Sequence, residues 1–161
     1  AMWTAKLGLA EYDPTLVETL LRLMIDTKLD YTIFFRELSQ MPDSVSTLKK
    51  SFYVETSQQL DEQWQSWLQR WSDIVGSRHG SLTEASKRMK QVNPKYTWRE
   101  WLIVPAYQQA MQGNYALVRE LHAVLNHPYE EQSQDIEDKY YRLKPEEYFH
   151  AGGVSHYSCS S

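Results

Sequence analysis

Cys159 is the single thiol in a chain of 161 residues, and it lies almost at the end, in Ser158-Cys159-Ser160-Ser161. Thiol chemistry needs the thiolate, which a basic neighbour, a helix N-terminus or a metal favours. Only His156 offers such help nearby, and the terminal carboxylate opposes ionisation. Cys159 is therefore no nucleophile by its local surroundings. Its asset is reach, because a terminal segment can carry a thiol to a partner elsewhere. A lone cysteine builds no internal disulfide framework, which fits a reducing compartment.

The remaining chemistry-bearing residues are sparse. The histidines are His79, His122, His127, His150 and His156. His150, His156 and Cys159 match no compact zinc spacing and lack a fourth ligand, so no metal site is expected. Gly152-Gly153 has no strand before it, no helix after it and no lysine placed as in a phosphate loop. No Ser-His-Asp or Cys-His-Asn order has a strand-to-helix elbow to present a nucleophile.

Charge is unevenly spread. Residues 126–161 hold seven acidic and three basic side chains, while residues 1–125 hold fourteen of each, so the whole net charge of −4 sits in the last segment. That segment carries Tyr129, Tyr140, Tyr141, Tyr148, Phe149 and Tyr157, too aromatic for ordinary disorder. The imbalance argues against a basic nucleic-acid tail at the C-terminus. Residues 76–99 form a basic stretch: Arg78, Lys87, Arg88, Lys90, Lys95 and Arg99 against Glu84 alone, with Tyr96 and Trp98 between them. Cations interleaved with aromatics grip single-stranded nucleic acid, but the acidic chain as a whole favours a solvated helix face or a docking face.

The elements positioning these residues are helical, and no strand pattern is convincing. Asp13-Pro14 is a cap followed by a first-turn proline, opening a helix through Leu16, Leu20, Leu23 and Met24. Asp30 caps a second helix that Pro42 stops near Gln40, and a short helix is expected over 45–52. From Ser57, residues Leu60, Trp64, Trp67, Leu68, Trp71, Ile74 and Val75 form one apolar stripe ending at Gly76. Tryptophans at that spacing read as core rather than as a ligand platform. Ser81-Leu82-Thr83-Glu84 is a capping-box pattern for a fifth helix ended by Asn93-Pro94. A sixth helix is expected from Thr97 with a kink at Pro105, and a seventh over 115–125 after Gly113-Asn114. The hairpin over 97–125 is similar to a single tetratricopeptide unit, but one unit without repetition is weak support. The expected architecture is all-α: six or seven helices in a single helical domain over 1–125, then an irregular extension over 126–161.

Nothing marks a membrane span or a signal peptide. Ala1-Met2 reads as a cloning remnant, with Trp3 at an excision boundary.

Four ordered motifs add a resemblance. Asp30-Tyr31-Thr32 with Phe35-Arg36 and Leu38-Ser39 resembles the DYTxxFRxLS segment of the selenoprotein O / YdiU family. Asn93-Pro94-Lys95-Tyr96 with Arg99 and Leu102 is similar to its NPKYVLRNYL segment, and Pro128-Tyr129-Glu130-Glu131-Gln132 to its PYDEQ segment. Ser158-Cys159-Ser160-Ser161 matches its terminus. Departures are Glu100 after Arg99, Ile103-Val104-Pro105 in place of an Ala-Gln-Gln-like run, and an inserted His156-Tyr157.

The resemblance implies the C-terminal part of a longer protein with a kinase-like fold. That fold binds ATP and Mg²⁺ in an inverted orientation and transfers AMP to Ser, Thr or Tyr hydroxyls of target proteins. The nucleotide and metal ligands would lie upstream, with no catalytic residue in this stretch. By the same resemblance, Cys159 occupies the selenocysteine position of animal homologues and takes a redox role, bridging to a cysteine of the upstream domain. Asp30, Tyr31, Arg36, Asn93, Pro94, Arg99, Pro128 and Tyr129 are the motif positions expected to matter for interdomain structure. The expected partners are the upstream kinase-like domain and protein substrates. The expected compartment is cytoplasm for a bacterial source and mitochondrion for a eukaryotic one. The competing reading is a stand-alone helical module that binds protein or nucleic acid.

Overall fold

The computed structural model describes residues 1–79 and 81–149, the side chains of Arg78 and His79 excepted. Cys159, His150, His156 and Gly152-Gly153 therefore lie outside the described residues. The chain divides into two compact units, Ala1–Asn93 and Pro94–Ser161. The boundary at 125/126 follows composition, whereas this division falls at the proline that ends the preceding helix. The described residues are helical and hold no strand, only one isolated bridge between Leu29 and Phe52.

The first unit begins with a short helix that periodicity does not reveal, α1 (Met2–Lys6). Asp13 caps α2 (Pro14–Thr27), its Oδ1 accepting from the Leu16 N–H at 2.9 Å. Asp30 caps α3 (Tyr31–Leu38) in the same way, accepting from the Ile33 N–H at 2.9 Å. The expected short helix is α4 (Val45–Leu48), continued by a 3₁₀ turn over Lys49–Ser51. Helix α5 (Gln58–His79) runs past Gly76, the expected stop, because one glycine costs a helix only about 1 kcal/mol. Helix α6 (Leu82–Lys90) starts after Ser81, but the Ser81 side chain makes no capping bond. The Glu84 carboxylate instead pairs with Lys87 at 3.2 Å.

The α5 stripe is core. Trp64, Trp67 and Trp71 are buried among Leu16, Leu20, Leu23, Phe34 and Leu7, and each indole N–H is satisfied. Trp64 donates to Thr27 Oγ1 at 2.8 Å, Trp67 to the Leu16 carbonyl at 3.0 Å and Trp71 to the Leu7 carbonyl at 2.8 Å. These bonds tie α5 to α2 and to the segment after α1, meeting the rule that a buried indole finds a partner. Gly8 completes the packing: its φ is +66°, and a Cβ there would meet Met89 Sδ at 3.0 Å.

The second unit holds α7 (Glu100–Met111), α8 (Ala116–Leu125) and α9 (Gln134–Tyr140), with a 3₁₀ turn over Glu146–Phe149. Helix α7 begins at Glu100 rather than Thr97, because the backbone is still extended at Arg99, with φ −133° and ψ 129°. Pro105 sits inside α7, and Gly113 at φ +87° lets the chain turn towards α8. Helix α9 corrects the expectation of an irregular extension. Ser133 caps it, its Oγ accepting from the Ile136 N–H at 3.4 Å. No described helix is long and apolar enough to cross a membrane.

Candidate functional site

The motif residues gather into two polar clusters, one in each unit. In the first unit Arg36 lies on the inward face of α3, only 1% exposed, and its guanidinium donates to the Lys90 and Asn93 carbonyls at 3.3 and 3.1 Å. Those carbonyls lie on the last residue of α6 and three residues beyond it, where the final C=O groups of a helix lack intrahelical partners. Asn93 is fully buried; its Nδ2 donates to the Lys6 carbonyl at 2.9 Å and to Ser39 Oγ at 3.0 Å. Lys6 Nζ donates back to Asn93 Oδ1 at 3.0 Å, and Ser39 Oγ donates to the Phe35 carbonyl at 2.7 Å. Two motifs more than fifty residues apart in sequence are therefore one hydrogen-bonded device.

Aromatic rings surround its cation. Lys6 Nζ lies 5.1 Å from the Tyr31 ring centre and 4.8 Å from that of Phe35, within cation–π range. Burial pushes the Lys6 ammonium below the usual lysine value and the Tyr31 hydroxyl above the usual tyrosine value.

The second cluster joins the other two motifs. The Pro128 carbonyl accepts from the Lys95 and Tyr96 N–H groups at 2.8 and 3.1 Å. Lys95, 5% exposed, reaches Glu131 at 2.5 Å and Glu137 at 3.2 Å, with its Nζ 4.9 Å from the Tyr141 ring centre. One cation of the basic stretch thus meets two carboxylates of the acidic segment. Arg99 is buried too, whereas Lys87 and Arg88 face solvent, so the described cations of the stretch are not uniformly exposed. Nearby, Glu120 accepts from Tyr140 Oη at 2.7 Å and from Lys139 Nζ at 3.0 Å. The Tyr140 bond, then the Lys139 bond, hold the Glu120 carboxyl below its usual value; desolvation, then the Glu120 bond, push Tyr140 up.

Of the motif positions, Asp30, Arg36, Asn93 and Arg99 are buried, Tyr31, Pro94 and Pro128 are half-buried, and Tyr129 is exposed. Among the described residues no three His, Cys, Asp or Glu side chains gather as metal ligands. Sequence reasoning did not single out Lys6, Ser39 as a partner of Asn93, or Glu120; short helices and through-space pairs leave no periodic trace.

Residues 1–126 match the family model described as protein adenylyltransferase SelO. The chain belongs to the SelO family. It is 35% identical to the protein nucleotidyltransferase YdiU of Aromatoleum aromaticum over 99% of its own length. It is 36% identical to that of Tolumonas auensis over its whole length, and 38% identical to that of Stutzerimonas stutzeri over 74%. It covers 32% of the first two relatives and 24% of the third, so the chain spans about a third of the length of relatives it matches throughout.

Proposed function

We propose that this chain is the helical supporting region of a longer SelO-type protein adenylyltransferase and is not itself catalytic. One observation carries the reading: Asp30, Arg36, Asn93 and the Pro128 carbonyl are engaged in capping and bracing their own units. Residues so engaged act on a scaffold rather than on a substrate. In the longer protein, an upstream kinase-like domain would hold ATP and Mg²⁺. A Ser, Thr or Tyr hydroxyl oxygen of the target would then bond to the α-phosphorus as the bond to pyrophosphate breaks, the hydroxyl proton passing to solvent.

The family resemblance of the terminus extends the reading to Cys159. Its thiol and one in the upstream domain would give two electrons and two protons to hydrogen peroxide, forming one disulfide and two waters. Mass spectrometry of peroxide-treated full-length protein should find Cys159 in a mixed peptide; a Cys159 that stays alkylatable contradicts the bridge.

The test of the main reading is AMP incorporation from labelled ATP into protein substrates. The full-length protein should incorporate label, and the 161-residue chain alone should not. Incorporation by the chain alone would overturn the reading.

A further inference from the structure

Helices α7 and α8 leave an apolar groove of about 310 Å³ between Trp98, Ile103 and Tyr107 on one side and Val118, Leu121 and Leu125 on the other. Ile103 and Leu121 are its buried floor, while Trp98 and Tyr107 stand at its rim, 59% and 56% exposed. No charged side chain lines it, and its polar groups are His122 and Asn126. We propose that this groove is the docking site for an apolar segment from the remainder of the full-length protein. The inference rests on the reading that the chain is part of a longer enzyme.

Three observations select that occupant. The chain spans about a third of the length of relatives it matches throughout, so roughly twice its own length remains to supply a contact. The uncharged lining excludes the cationic chemistry that a nucleic acid or an acidic peptide needs. The groove is also small. It admits a few apolar side chains, far short of the roughly 1,000 Å² a stable interface between separate molecules buries. Covalent linkage removes that limit, because a tethered segment acts at an effective concentration in the millimolar range. Two large exposed aromatic rings beside an apolar floor are then explained as the half of an intramolecular interface present in this chain.

The test is hydroxyl-radical footprinting of Trp98 and Tyr107 in the full-length protein and in the 161-residue chain. Docking predicts oxidation of both rings roughly fivefold slower in the full-length protein, as expected when exposed aromatics become interface core. In full-length Tyr107→Glu, with helix content unchanged by circular dichroism, Trp98 should return to the rate of the chain alone. Equal rates in the two wild-type proteins overturn the proposal. So does protection that grows with concentration of the chain alone, which assigns the groove to a second copy. A full-length protein that transfers AMP yet shows equal rates refutes the docking and leaves the functional reading intact. One that protects both rings yet transfers no AMP does the reverse.

Discussion

Asn93→Ala is the most informative single perturbation of the first unit. The side chain is fully buried and makes three hydrogen bonds: to the Lys6 carbonyl, to Ser39 Oγ, and from the Lys6 ammonium. Two neutral bonds at about 1 kcal/mol each and one charge-assisted bond at about 1.5 kcal/mol give a loss of about 3–4 kcal/mol. The orphaned Lys6 carbonyl makes the loss harder to recover by rearrangement. For a unit of this size each kcal/mol lowers the midpoint by about 4–8 °C, so Asn93→Ala should melt at least about 12 °C below the parent. Four of the six tryptophans, Trp3, Trp64, Trp67 and Trp71, lie in this unit, so fluorescence during urea unfolding reports on it. Lys6→Met in a double-mutant cycle should show a coupling with Asn93→Ala of about 1 kcal/mol or more. A loss below about 1 kcal/mol, or full additivity of the two changes, would refute the reasoning.

Other residues give sharper signs than sizes. Because burial lowers the Lys6 value, the folded unit binds fewer protons there than the unfolded chain as pH climbs towards 10.5. The stability of the parent relative to Lys6→Met should therefore rise with pH in that window; a flat difference in urea midpoints contradicts it. Glu120→Gln should destabilise the second unit at neutral pH by about 1 kcal/mol through the weakened Tyr140 and Lys139 bonds. Since the folded Glu120 value is depressed, the difference should shrink as pH falls below 4.5, and thermal melts at pH 7 and pH 3.5 check this. Lys95→Met should cost about 2 kcal/mol by removing the buried ammonium that Glu131 and Glu137 share, a moderate figure because both carboxylates retain solvent access. An unchanged hydrogen-exchange rate in α9 would contradict that value.

What the sequence made visible were features with short-range causes. Asp13 and Asp30 announce their helices because a cap needs only a side-chain oxygen a few residues before the N–H it accepts. The tryptophan stripe of α5 is legible because one helix face repeats. Ser81 and Glu84 have capping-box spacing without the cap, since spacing cannot reveal that Glu84 finds Lys87. The helix over Gln134–Tyr140 is too short for a periodic signal, and only Ser133 hints at it. The motif resemblance located Arg36 and Asn93, but that one guanidinium and one amide brace the end of α6 follows only from the three-dimensional path. Likewise the uneven charge argued only against a basic tail; that Lys95 meets Glu131 and Glu137 required the fold.

The proposed function requires that the family motifs in this chain hold a scaffold and do not perform the proposed AMP transfer. The direct measurement is AMP transfer per folded molecule in full-length Asn93→Ala and Arg36→Lys, at a temperature where both remain folded, beside their melting midpoints. Transfer should stay within about twofold of the parent while both midpoints fall well below it, since both changes break bracing hydrogen bonds. Transfer abolished at an unchanged midpoint would contradict this and place these residues in the chemistry.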